Sequence, residues 1–176
     1  MGLARLGVRA RLSALYAASF AGIGVYMPFF PLWLEHRALS VSQIGLVLAL
    51  PVMVRIIVTA PLMGLIDRST GMRRLMIAAH LALILVYAGL AWTEGVWLIA
   101  LLVVAMAAAQ APIIPTADLV VMESVRRNPG LDYGRLRLWG SITFLIASVA
   151  SGYLLGALDP DVVIGVLAGL AAVGLG

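Results

Sequence analysis

The residues best placed to do chemistry in this chain lie between Pro112 and Ser141. Asp118 stands inside one very apolar segment, and Arg135 and Arg137 stand at the mouth of the next. A charged side chain at membrane depth is costly to hold there and marks a functional site by default. An antiparallel helix hairpin brings the end of the first segment beside the start of the second, so Asp118 can meet Arg137. Such a pair is tolerable in a low dielectric, and it can exchange its mutual contact for contacts with a polar ligand. It can equally be a static pin between two helices, and the residues alone leave both readings open.

Composition says what must position this pair. Of 176 residues, 63% are apolar and 11% charged, with a mean hydropathy of +1.09, against roughly 25% charged in soluble domains. The chain is an integral membrane protein. Its formal charge of +4 arises from 12 arginines, with no lysine, against 8 acids. The arginines cluster between apolar runs, a topology signal rather than a nucleic-acid footprint. Cysteine is absent, which excludes disulfides and thiolate chemistry. His36 and His80 fall in different segments without metal-ligand spacing, and His80 reads as a packed or interfacial histidine. No nucleotide-binding loop, catalytic triad or metal motif is found, so neither an enzyme nor a cofactor nor a nucleic-acid partner is expected.

The chain order gives six apolar segments. Residues 1–11 form a basic tail, and the run over 12–34 is longer than a signal-peptide core, so it reads as a retained first span. Further spans are expected over 41–66, 75–92, 96–122 and 134–158. A sixth stretch over 162–176 is short of a full crossing of about 30 Å and reads as a truncated helix. Ten of the 12 arginines fall at the tail, the second loop and the fourth loop with its following helix mouth, which places the N-terminus in the cytoplasm. Arg55, near the middle of the second span, needs water or a partner; an anionic ligand group and a structural ion pair are both open readings.

A proline pair recurs, Pro28 and Pro31 in the first span and Pro112 and Pro115 in the fourth. Two three-helix units insert with opposite orientation, which is the inverted repeat of many secondary transporters. Gly140, Ser148, Gly152 and Gly156 form a four-residue ladder in the fifth span, with Gly165 and Gly169 in the sixth; small-residue spacing of this kind packs helices closely in lipid.

Three segments together, GVYMPFFPLWL at Gly24–Leu34, GLIDRSTGMRR at Gly64–Arg74 and YGRLRLWGS at Tyr133–Ser141, resemble the N-terminal half of a major facilitator superfamily permease. Within that superfamily they are similar to the lactose-permease and phenylpropionate or nucleoside proton-symporter group. The resemblance covers about Leu12 to Leu158. It implies an all-α transmembrane bundle with a 3+3 inverted repeat, one half of a twelve-helix protein, cut within its sixth helix. It also implies site residues: an acid three after a proline in helix four matches Asp118, the second arginine of the GRxR motif in helix five matches Arg137, and an aromatic seven residues later matches Phe144. Phe144 offers a stacking face without an indole hydrogen-bond donor. Gly64, Asp67, Arg68, Gly71, Arg73 and Arg74 match the loop that gates against the opposite half, with the glycine spacing around Asp67 shifted by one residue on each side.

The resulting expectation is the N-terminal half of a proton-coupled symporter in a bacterial inner membrane, moving a sugar, nucleoside or aromatic acid by alternating access. Its partners would be the solute and a proton, the lipid bilayer, and a missing C-terminal half without which the fragment is inactive. The alternative is a half that self-associates, either transporting or as a non-transporting membrane oligomer.

Overall fold

The computed structural model describes residues 2–66 and 71–175, apart from the side chains of 2–6, 60, 62–63 and 65–66. Among the described residues all regular structure is helical, as it must be for a chain that cannot leave backbone groups unpaired in hydrocarbon. The helices are α1 (Gly2–His36), α2 (Val41–Ile66), α3 (Met72–Trp92), α4 (Val96–Gln110), α5 (Ile113–Arg127), α6 (Tyr133–Ala157) and α7 (Val162–Val173). Five spans are long and apolar enough to cross a membrane, with α4 and α5 together forming the fourth, while α7 is shorter at 12 residues.

The helix of the first span extends back to Gly2, so the basic segment carrying Arg9 and Arg11 continues α1. The two proline pairs act differently. Pro28 and Pro31 lie inside an uninterrupted α1, whereas the fourth span breaks after Gln110 and resumes at Ile113, with Pro112 at the junction. Pro112 and Pro115 lack N–H groups, so the carbonyls of Ala108 and Ala111 lose their usual helical donors.

The helices pair as the repeat requires. α1 packs most extensively on α6, α2 on α4, and α3 on α7. Exchanging the first three spans for the last three turns the first pair into the second and leaves the third unchanged. The α1–α6 crossing is close because Gly24 has no side chain: a Cβ there would lie 2.5 Å from the Phe144 carbonyl oxygen. Ser148 uses the proximity to donate a 2.7 Å hydrogen bond to the Gly24 carbonyl, and Gly140 one layer away accommodates the Phe20 ring.

Two apolar cores result. The larger one joins α1, α3, α4 and α7 around Trp33, Phe30, Leu90, Met106 and Leu167. The smaller joins α1, α5 and α6 through Leu12, Tyr16, Ala117, Val121, Leu131 and Leu136, and it forms the floor beneath Asp118. By contrast α2 and α6 bury little of themselves, exposing Met53, Ile56 and Ile57 on one and Leu145, Ile146 and Tyr153 on the other.

Candidate functional site

The hairpin does bring Asp118 and Arg137 together. Arg137 Nη1 lies 3.0 Å from Asp118 Oδ1 and 3.3 Å from Oδ2. The pair is joined by two tyrosines that sequence reasoning missed. Tyr16 of α1, fully buried in the small core, donates to Asp118 Oδ1 at 2.5 Å, and Tyr133 donates to the same oxygen at 3.1 Å while accepting from Arg137 Nη1 at 2.8 Å. Tyr133 was accessible to pattern reading: it precedes Arg137 by four residues, which places both on one helix face. Tyr16 carried no such signal, because it is distant in sequence and looks like one more aromatic of an apolar run.

Each side chain has a local reason for its position. Asp132 caps α6 by accepting the Arg135 N–H at 2.8 Å, which sets where α6 starts and therefore where Arg137 sits one turn later. Arg9 donates to the Gly130 carbonyl and ties α1 to the α5–α6 connection. Phe20 lies under the guanidinium at 5.9 Å and meets Tyr16 edge-on, while Gly140 gives the ring its space.

The constellation is only partly satisfied internally. Arg137 engages the carboxylate and the tyrosine through Nη1 alone, so Nε and Nη2 have no partner among the described residues. The Asp118 and Arg137 side chains remain 27% and 43% exposed. A planar donor fork beside a carboxylate acceptor, with aromatic faces at hand, can hydrogen-bond a polar solute in two directions. Phe144 lies two turns beyond Arg137 on α6, roughly 10 Å along the axis, half-buried at the α1 crossing. The rings beside the guanidinium are those of Phe20 and Tyr133, at 5.9 Å and 6.0 Å.

Arg55 is elsewhere. It lines a separate cavity of about 60 Å³ with Ser19, His80, Tyr87 and Gln110, next to the break in the fourth span. In the gating segment, Asp67 and Arg68 lie outside the described residues. Gly64 is exposed near the end of α2, Gly71 precedes α3, and Arg73 and Arg74 are exposed in its first turn. Cations at a helix N-terminus oppose the helix dipole, so these arginines are not there to stabilise α3.

At the opposite end of the bundle, Arg37 pairs with Asp161 at 3.0 Å and donates to the Ala91 carbonyl at 2.9 Å. Trp33 Nε1 also donates to Asp161 at 3.0 Å, and His36 lies 3.4 Å from Asp159. His36, Asp159 and Asp161 present ligand-type atoms within 4.8 Å of one another, but Asp161 is already held by Arg37 and Trp33. The group acts as a clasp between the end of α1, the end of α3 and the α6–α7 connection.

Comparison with known proteins gives the same direction. The model of the MFS_1 like family matches residues 9–175. A probable 3-phenylpropionic acid transporter of Escherichia coli (strain K12) is 31% identical over 165 residues, 92% of this chain and 42% of the relative. A maltose permease of Geobacillus stearothermophilus is 31% identical over 141 residues, 79% of this chain and 35% of the relative. The uncharacterized transporter YwbF of Bacillus subtilis (strain 168) is 30% identical over 154 residues, 86% and 38% of the two chains. The chain thus spans about two fifths of the length of these curated relatives. No solved structure matches it significantly.

Proposed function

This chain belongs to the MFS_1 like family of the major facilitator superfamily, and on that premise we propose that it is the N-terminal half of a proton-coupled secondary transporter for a small organic solute. The observation that carries this reading is the incomplete coordination of Asp118 and Arg137. Tyr133 and the Asp118 carboxylate hold the guanidinium by one nitrogen, with Tyr16 donating to that carboxylate, and leave the rest of its fork open. A solute hydroxyl or carbonyl takes the open donors, the free lone pairs of Asp118 accept from the solute, and an aromatic face packs against its apolar side. Phe144 serves that stacking role deeper along α6.

In this reading the site works at the surface shared with a second half, and transport proceeds by alternating access around it. The exposed apolar faces of α2 and α6 supply the area for that half, either a C-terminal half or another copy of this chain, and the chain by itself does not transport. Gly64, Asp67, Arg68, Gly71, Arg73 and Arg74 gate against it. The tail and the arginine-rich loops lie in the cytoplasm of a bacterial inner membrane. The relatives named for 3-phenylpropionic acid and maltose make aromatic acids and sugars the first solutes to test, with nucleosides beside them.

The test is uptake of labelled sugars, nucleosides and aromatic acids by cells producing the transporter, at two external pH values. One class should accumulate, more so at the lower external pH, and Asp118→Asn and Arg137→Lys should each abolish accumulation with expression intact. Accumulation that survives both substitutions would sink the site assignment. Accumulation indifferent to the proton gradient would sink the coupling.

A further inference from the structure

The cavity beside Arg55 lies between α1, α2, α3, α7 and the broken fourth span, and shares no residue with the Asp118 constellation. Its volume of about 60 Å³ holds roughly four water-sized groups, enough for a carboxylate with a short tail. None of its lining residues is acidic, and Arg55 has no carboxylate partner among the described residues. Arg55 is exposed at the α2 side of the cavity, and at membrane depth its guanidinium has, among the described residues, none of the counter-charge that ordinarily makes such a group tolerable.

Two further features of the same cavity favour negative charge. Tyr87 is 3% exposed and accepts from Gln110 Nε2 at 3.1 Å, so its own hydroxyl hydrogen remains to be donated, and its hydroxyl makes no other hydrogen bond among the described residues. Ile113 and Ile114, the first two residues of α5, also line the cavity. Their amides have no partner within the helix, and no side chain caps this end. The unpaired amides at this helix start are donors that suit an anionic group. His80 contributes a wall and not a donor: its Nδ1 lies 2.8 Å from the Met76 carbonyl, and its Nε2 faces Gly174.

We propose that this cavity is a second ligand site, which takes the carboxylate of a small organic anion between the Arg55 guanidinium, the Tyr87 hydroxyl and the opening of α5. It does not depend on the Asp118–Arg137 reading. A solute bound at one site neither requires nor excludes the other.

The experiment uses the purified chain in detergent and ¹³C-labelled acetate, with binding read from line broadening. Arg55→Gln should weaken acetate binding at least tenfold, while Arg126→Gln, which removes an exposed arginine elsewhere, should leave it within twofold. Gly22 provides a variant that keeps the cation: a Cβ at this cavity-lining position meets nothing within 4 Å, and leucine is a better helix former than glycine. Gly22→Leu should therefore fold, fill the cavity and abolish binding, and it decides the matter alone if Arg55→Gln does not fold. Acetate affinity unchanged in a folded Gly22→Leu protein overturns the proposal. So does binding that is lost on Arg137→Gln and retained on Arg55→Gln. Chloride competing as strongly as acetate overturns the carboxylate assignment.

Discussion

The Tyr16 hydroxyl on α1 lies 2.5 Å from Asp118 Oδ1 on α5, so the carboxylate that pairs with Arg137 is fixed by a helix belonging to neither arm of its own hairpin. A hydrogen bond to a charged acceptor contributes about 1.5–3 kcal/mol. Tyr16→Phe keeps the ring and its packing and removes only that bond. Solute affinity should fall about tenfold or more, with a smaller loss of thermal stability in detergent, measured on the same preparation. Equal affinity for the solute would show that Tyr16 merely fills the floor.

The pair itself distinguishes a ligand site from a pin by how its variants combine. Asp118→Asn or Arg137→Gln alone leaves one charge without its counter-charge. Because the two side chains are 27% and 43% exposed, each single loss should cost only about 1 kcal/mol of stability, well below the cost at a fully buried pair. The double variant removes both charges and should recover most of that stability while still failing to bind solute. If solute protection returned along with stability, the charges would be structural.

The α1–α6 crossing makes a contrasting pair of predictions. Gly24→Ala drives a methyl group towards the Phe144 carbonyl oxygen, a backbone atom with no freedom to move away. The helices must separate and the Ser148–Gly24 bond is lost; overpacking of this kind costs about 1–3 kcal/mol, read as a lower unfolding midpoint. Gly140→Ala meets the Phe20 ring at 2.8 Å, a side chain that can rotate. Its stability should change less than that of Gly24→Ala. Since Phe20 lies under Arg137, solute affinity should change more.

These contrasts also explain what could be read in advance. The five long spans follow from hydrophobic runs bounded by arginines and turns, though the continuation of α1 back to Gly2 and the break after Gln110 do not, and the Asp118–Arg137 approach follows from the geometry of one hairpin. Both are local in the chain. Tyr16 could not be read, because its role depends on α1 packing across α5 and α6. Arg55 announced itself by its charge, but its separation from Asp118 depends on how α2 packs against α4, which no spacing encodes. The proline echo does not say where a span breaks: identical spacing leaves α1 continuous and interrupts the fourth span, since the consequence of a proline depends on what the neighbouring helices can re-satisfy.

At the far end of the bundle, Asp161 receives both the Arg37 guanidinium and the Trp33 indole N–H, each at 3.0 Å, so charge and hydrogen bonding there can be separated. Asp161→Asn retains an oxygen able to accept from Trp33 and gives up the charge. Asp161 is 49% exposed, and an exposed ion pair contributes about 0–1 kcal/mol, so the asparagine variant should melt close to the unmodified protein. Asp161→Ala also leaves the indole N–H of fully buried Trp33 without an acceptor, which costs about 1–3 kcal/mol. Its melting temperature should fall distinctly below that of Asp161→Asn. Equal melting temperatures for the two would mean that Trp33 finds another acceptor and that the clasp is held by Arg37 on the Ala91 carbonyl and His36 beside Asp159.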